Sequence, residues 1–407
     1  MDGKTTHILI FEPDPRGHAR EWLGHLLREI TARPEDLRVT LVVAKALMET
    51  LRPQLPGNAQ AIPLGAKEQQ RCTHGNLLVS AFSRWRAMRR YLLRTGASRG
   101  LFLSFDHLAL PYALGLGAAG RRVSGVLFRP TAHYAAIGCA PATAREKLRD
   151  RRKDLLLRLA LRNRAVERVF SLDPYFPAFA AERYAAGGKL AQIGDPAFPA
   201  VEPSPEEHAL ADEIPRNRVA FLLFGELTER KGALPLLEAL KRLPPEIAQR
   251  TAVMLAGRVD DGLRAALTDS ESELRGRQPK LWLKIANRWL SEGEVTALVR
   301  ASDVVLAPYQ RFVGSSGVLL WAARAGRPVI CQDYGLLGRL TENYGLGVTV
   351  DSSDPSALAA AIEGAVESGS LPAQSVRKVS EFLAVRTPQA FAAALLEGCG
   401  HRLSRAA

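Results

Sequence analysis

Little in this 407-residue chain can cross-link it or bind a metal. Four cysteines occur, Cys72, Cys139, Cys331 and Cys399, tens of residues apart and without C-x-x-C or metal-ligand spacing. That pattern reads as four reduced thiols in a cytosolic protein. No D-x-D signature and no His/Asp cluster is present. No apolar run approaches the length of a membrane-spanning helix. The N-terminus, Met1-Asp2-Gly3-Lys4, runs into a strand-like segment instead of the apolar core of a signal peptide. Low-complexity tracts are also missing, which excludes disorder for the bulk of the chain.

What is there suits two globular domains. Hydrophobic residues make up 47% and charged residues 24%, enough for sizeable cores, and the length favours two domains over one. The net charge of +13 is unevenly spread. Residues 1–200 hold 31 lysines and arginines against 17 acids, whereas residues 201–407 hold 24 against 25. The first half should therefore attract something anionic: nucleic acid, an acidic membrane or a phosphorylated substrate.

Strand-like and helix-like segments alternate, which implies parallel sheets covered by helices. In the first half, strands are expected at His7–Phe11, Val39–Val43, Leu101–Phe105, Val123–Phe128 and Val169–Leu172, with a helix at Ala19–Ile30. The stretch around Asp195 to Arg216, rich in Pro, Glu and Asp, reads as a linker. Strands then restart at Val219–Phe224, Thr251–Ala256, Leu281–Ile285, Asp303–Ala307, Pro328–Gln332 and Val348–Val350. Between them helices are expected at Lys231–Arg242, Glu292–Ala301, Ser316–Ala325 and Pro355–Val366. The expected organisation is α/β: two Rossmann-like doubly wound domains facing across a cleft, over residues 1–197 and 218–380, joined by 198–217. Residues 381–407 carry a helix, about Pro388–Glu397, expected to pack back across the junction.

Two loops could hold phosphate. In Phe224-Gly225-Glu226-Leu227-Thr228-Glu229-Arg230-Lys231-Gly232 a strand ends in glycine and two cations open a helix. Cations there oppose the helix dipole, and a bound anion would relieve the conflict. The alternative is a solvated basic loop. In Ala307-Pro308-Tyr309 through Gly314-Ser315-Ser316-Gly317 a buried strand leads into side chains small enough for backbone N–H groups to approach a diphosphate. Serines are favoured helix caps in any case, so the argument rests on the pairing of the two loops at one sheet edge.

The segments F-G-E-L-T-E-R-K-G, A-S-D-V-V-L-A-P-Y, A-A-R-A-G-R-P-V-I and L-G-V-T-V-D, in that order, resemble the C-terminal domain of GT-B glycosyltransferases of family 4. The resemblance is strongest over residues 218–366. It implies a nucleotide-sugar donor in the second domain, with Arg230 and Lys231 stabilising the departing nucleoside diphosphate. Gly225, Gly314, Ser315, Ser316 and Gly317 would join them in donor binding. By the same resemblance Gly17 and His18 form the glycine-bearing loop after the first strand, and His107 contacts the donor sugar. His133 and Arg129, after the next strand, are acceptor-side candidates. The family is mostly retaining and needs no metal, so no cofactor is expected beyond the nucleotide-sugar co-substrate. Two departures stand out. The arginine usual after the strand glycine is Glu226, and the two glutamates usual in the second loop and its helix are replaced by Val313 and Trp321.

The positive half concentrates its charge in two places. One is Arg84, Arg86, Arg89, Arg90 and Arg94, interleaved with Phe82, Trp85, Met88 and Tyr91; the other spans Arg145 to Arg164 and is interleaved with leucines. Both read as basic amphipathic helices, against the plainer reading of solvated faces over a buried leucine stripe. The expected function is transfer of a sugar from a nucleotide-sugar to a glycan or lipid-linked acceptor. The expected location is the cytoplasm, with peripheral contact to the inner membrane face. The alternative is a catalytically inactive GT-B-fold binding or scaffold protein. No helix-turn-helix, zinc-finger, RNP or KH signature supports nucleic-acid binding.

Overall fold

The computed structural model describes residues 6–16, 18–32, 37–139, 143–196, 201–314, 316–369, 371 and 374–400. They form two units: one from the described residues of Met1–Ala135, Pro141–Pro196 and Val385–Ala407, the other from those of Ala136–Ala140 and Ala197–Ala384. Each contains one parallel sheet with helices on its faces.

The first unit carries β1 (Thr6–Glu12), β2 (Leu37–Val43), β3 (Ala59–Pro63), β4 (Arg99–Phe102), β5 (Arg122–Leu127), β6 (Val166–Ser171) and β7 (Leu190–Gln192). Their order is β3-β2-β1-β4-β5-β6-β7. In β1 alternation divides the core. Ile8 and Ile10 pack with the helix Ala19–Thr31, whereas Leu9 and Phe11 face the side covered by the helices Leu77–Thr95 and Ala144–Arg162. The edge strands β3 and β7 went unrecognised in the sequence. β3 is half-exposed and β7 has three residues, so neither shows the apolar run of a buried strand.

The helix Pro388–Glu397 belongs to this first unit. Phe391 packs 4.8 Å from Trp22, and Phe391, Leu395 and Leu396 share a core with Ile8 and Ile10. The Ser124 hydroxyl donates to the Gly398 carbonyl at 3.0 Å.

The second unit carries β8 (Val219–Phe224), β9 (Thr251–Ala256), β10 (Trp282–Ala286), β11 (Val304–Ala307), β12 (Val329–Gln332) and β13 (Gly347–Val350), in the order β10-β9-β8-β11-β12-β13. Apart from Thr251 at the start of β9, strands β8 and β9 are apolar and almost entirely buried, as a sheet covered on both faces requires. Helix boundaries follow local chemistry. A Ser291/Glu294 capping box opens Glu292–Ala301, and Asp354 caps Pro355–Ser368. The expected helix Lys231–Arg242 is shorter, running Ala233–Leu240. Glu229–Lys231 form a tight 3-10 turn, and Gly232 at φ +76° separates it from the helix. The two cations therefore precede the helix and do not lie in its first turn.

Candidate functional site

In each sheet the chain reverses its direction of strand addition once, between β1 and β4 and between β8 and β11. Loops leaving such a pair diverge and open a crevice beyond the strand C-termini, where doubly wound folds bind ligands. Both crevices here carry polar groups.

In the second unit, the loops after β8 and β11 are locked together. A Cβ at Gly232 would stand 2.0 Å from the Pro308 carbonyl oxygen, so only glycine lets the 3-10 turn dock there. The Gln310 amide donates to the Arg230 carbonyl at 2.8 Å. Tyr334 donates its hydroxyl to the Tyr309 carbonyl at 2.9 Å and accepts the Arg311 amide at 2.7 Å, and Ser352 also donates to the Tyr309 carbonyl. These bonds fix a loop that would otherwise be free to move.

Lys231 is buried at the centre of this arrangement. Its ammonium donates to the Phe224 carbonyl at 3.3 Å and to the Tyr309 hydroxyl at 2.5 Å. The Tyr309 hydroxyl lies 3.1 Å from Ser316 Oγ. Ser316 Oγ also accepts the Val318 amide at the start of the helix Gly317–Arg324. An ammonium has three protons, and two are used among the described residues. A Cβ at Gly225 would lie 3.3 Å from Lys231 Nζ, so the glycine keeps this face of the ammonium open. Arg230 is exposed, with its guanidinium 4.7 Å over the Phe312 ring. Neither cation makes an ion pair within 4 Å among the described residues. The crevice thus offers two positive charges and a helix N-terminus, which suits an anion.

In the first unit, a cavity of 180 Å³ opens at the C-terminal ends of β1 and β4. Among its lining residues are Glu12, Arg84, Ser104 and His107. Burial pushes the Glu12 carboxyl up to about 7, against the opposing pull of Arg84. His107 falls to about 4, chiefly by burial and then by the Arg84 charge, so its imidazole is neutral at physiological pH. Asp106, beside it, accepts the Phe128 and Arg129 amides at 2.8 and 3.1 Å, which sets the loop after β5 against the loop after β4.

The predicted residues separate accordingly. Gly225, Arg230, Lys231, Gly314, Ser316 and Gly317 gather at the β8–β11 crevice. His18 and His107 share the β1–β4 cavity. His133 does not reach it. It is buried, with Nδ1 2.6 Å from Asp173 Oδ2, and Asp173 in turn accepts the Tyr175 and Phe176 amides. Arg129 is exposed, with its backbone held by Asp106. Gly17 and Ser315 lie outside the described residues. Val313 uses its carbonyl to accept the Leu336 amide. Trp321 lines a crevice of 60 Å³ with Val201, Thr296, Val299 and Arg300.

Sequence reasoning missed Glu12, Arg84 and Tyr309. Glu12 ends a strand and Arg84 sits in an arginine-rich helix, and neither belongs to a motif. Tyr309 closes the segment A-S-D-V-V-L-A-P-Y, but nothing in the sequence marks its hydroxyl as a partner of Lys231. Among the described residues, no group of three His, Cys, Asp or Glu side chains is placed to hold a metal ion.

Residues 218–368 match the family described as glycosyl transferases group 1. No curated protein matches the chain. Solved structures share its fold over nearly the full length at low identity. Sucrose-phosphate synthase from Thermosynechococcus elongatus is 16% identical with a TM-score of 0.69, over 96% of this chain and 98% of that one. Alr3699/HepE from Anabaena, in complex with UDP, is 16% identical with a TM-score of 0.60, over 97% and 98%. WaaG, a glycosyltransferase involved in lipopolysaccharide biosynthesis, is 16% identical with a TM-score of 0.59, over 95% of each chain.

Proposed function

We propose that this protein transfers a sugar from a nucleotide-sugar to a glycan or lipid-linked acceptor, a reading supported by the match of residues 218–368 to the glycosyl transferases group 1 family and by the GT-B fold. The carrying observation is the Lys231 ammonium, fixed by Phe224 and Tyr309 with one proton to spare at the mouth of the β8–β11 crevice. The UDP complex of the similar HepE fold supports a nucleoside diphosphate as its ligand.

As the glycosidic C–O bond breaks, negative charge grows on the diphosphate. The buried Lys231, with the exposed Arg230 beside it, would meet that charge from fixed positions, which is the largest stabilisation open to this chemistry. The N–H groups at the start of Gly317–Arg324 would meet the second phosphate. In this reading the transfer retains anomeric configuration and needs no metal, because the two cations take the part of a divalent ion.

The test is release of nucleoside diphosphate from UDP-, GDP-, ADP- and TDP-linked hexoses, with a membrane extract as acceptor. Lys231→Ala should lower turnover by about a hundredfold or more. Absence of turnover with every donor, or an unaffected variant, would overturn the reading.

Contact with an anionic membrane is part of the same proposal. On the helix Ala144–Arg162, Leu148, Leu155 and Leu159 are exposed, at 71%, 55% and 36%. At spacings of seven and four residues they form one stripe, flanked by Arg151, Arg152 and Arg162. The buried leucine stripe of the plainer reading is limited here to Leu157 and Leu161. On Leu77–Thr95, Leu78, Val79 and Leu93 are exposed beside Arg86 and Arg89. Apolar stripes edged by arginine suit the boundary between headgroups and acyl chains, and among the described residues no helix is long and apolar enough to cross a membrane.

One observation favours a second reading, a binding or scaffold protein without transferase activity. Trp321, where the family carries a glutamate, lines a crevice of 60 Å³ with Thr296 and Val299. Under that reading an Arg230→Ala, Lys231→Ala double variant would keep the protein's biological role.

A further inference from the structure

A groove on the outer side of the helix Leu77–Thr95 belongs to neither crevice. It is walled by the helix Ala66–Cys72 and has a volume of 1150 Å³, above the range of about 300–1000 Å³ that small molecules fill. Its walls are fixed. The Ser80 hydroxyl and Arg84 Nε donate to the Cys72 carbonyl at 2.6 and 2.8 Å. Glu68 accepts from Arg90 and from the Tyr91 hydroxyl, and the Trp85 indole donates to the Gly117 carbonyl at 3.0 Å.

Leu78, Phe82, Trp85 and Leu93 line the groove at helical spacing. Leu78 and Leu93 are 62% and 58% exposed, and the helix between them spans about 22 Å. An apolar strip of that length, left uncovered, marks an interaction surface. Beside it stand five cations, Lys67, Arg71, Arg86, Arg89 and Arg90, against one acid, Glu68. Arg90 pairs with Glu68, and Arg89 lies 5.8 Å over the Trp85 ring. Lys67, Arg71 and Arg86 make no ion pair within 4 Å among the described residues.

What the groove can donate and accept selects its occupant. Lysine and arginine only donate, and Glu68 already serves Arg90 and Tyr91. Ser83 is the one described lining side chain left able to accept. Sugar hydroxyls, or the amides and hydroxyls of a protein surface, would bring donors that find few acceptors there. A phosphate brings acceptors, which match arginine forks, and a hydrocarbon chain needs no hydrogen bonds.

We propose that this groove holds a single lipid phosphate, its chain along Leu78, Phe82 and Leu93 and its phosphate among the arginines. This differs from surface contact with a membrane, because one lipid molecule is bound out of the bilayer. It deepens the transferase reading by narrowing the acceptor to one carried on a lipid phosphate, and it rests on that reading only for this role. Arg84, on the inner flank of the same helix, lines the β1–β4 cavity, so the groove runs beside the crevice of the first unit.

The experiment is titration calorimetry of the full chain with hexyl, octyl and decyl phosphate below their micelle concentrations. Each methylene removed from water should strengthen binding about fourfold, so each two-carbon step should give about fifteenfold. Decyl maltoside, a neutral amphiphile of the same chain, should bind more weakly than decyl phosphate. Leu78→Ser with Leu93→Ser, both at exposed positions, should flatten the dependence on chain length. Arg86→Gln with Arg89→Gln should erase the preference for phosphate over maltoside. In the transfer assay decyl phosphate should compete with the membrane extract; binding without competition would overturn the acceptor role. Lys231→Ala tests the transferase reading separately and should leave decyl phosphate binding unchanged. No binding below the micelle concentration, equal affinity for the three chains, or a preference for an acidic amphipathic peptide of Leu, Ala and Glu would overturn the lipid site and leave the transferase reading standing.

Discussion

Single residues decide whether each crevice is a site or only a gap. Tyr309 is the clearest case in the second unit. Its hydroxyl accepts from Lys231 and reaches Ser316, so Tyr309→Phe unties the ammonium while keeping the ring. We expect about 1 kcal/mol of lost stability and roughly tenfold weaker nucleotide binding, measured by urea unfolding and calorimetry. Glu12 gives a pH signature in the first unit. Its folded-state carboxyl lies at about 7 and the ordinary value is 4.5, so the folded protein binds the extra proton. The resulting stability is complete below about pH 4.5 and is lost as pH rises through 7, by up to about 3 kcal/mol. Urea midpoints at about pH 5 and about pH 8 should therefore differ less in Glu12→Gln than in the native protein. Equal pH dependence in both would contradict the buried-acid assignment. Neither residue could be picked out from sequence. Glu12 and Arg84 are 72 positions apart, and only the placement of β1 beside β4 brings the helix Leu77–Thr95 over the end of β1.

Elements were legible chiefly where an apolar run or a helix cap marked them. The long apolar runs of β1, β8 and β9 announce themselves, as do helices with strong caps, such as Glu292–Ala301. The edge strands β3, half-exposed, and β7, three residues long, do not, whereas the edge strands β10 and β13 were still legible. The start of the helix Ala233–Leu240 was misplaced for another reason. A run of good helix formers hid the left-handed turn that Gly232 imposes, and that turn is set by a tertiary contact with Pro308. Gly232→Ala should therefore cost more than the ordinary glycine effect of about 1 kcal/mol. It should also abolish nucleotide binding by displacing Lys231, which calorimetry would show. The C-terminal helix matters to the first unit in the same tertiary way. Phe391→Ala opens a cavity beside Trp22 and Leu395 and should cost about 3–5 kcal/mol in thermal or denaturant unfolding.

For the whole molecule, charge and fold give complementary information. The two α/β units and the two loops that meet at the β8–β11 crevice could be read from periodicity and spacing, whereas which apolar side chains stand exposed among the arginines required the structure. Exposed Leu148, Leu155 and Leu159 between arginines convert a general basic excess into a definite face. Co-sedimentation with anionic vesicles should accordingly fall with added salt, at about 1 kcal/mol per surface cation. It should also fall when Leu155 and Leu159 are changed to serine without altering the charge. Retention that responds to salt and ignores the leucines would mean a purely electrostatic surface.

The central claim is that the β8–β11 crevice binds a nucleoside diphosphate through Lys231. Thermal unfolding with UDP, GDP, ADP, TDP and CMP in parallel tests it most directly. One diphosphate, at about a hundred times its dissociation constant, should stabilise the native protein by about 2.7 kcal/mol, and Lys231→Ala should lose that shift while remaining folded. No shift with any nucleotide, or an equal shift in the variant, would contradict the account.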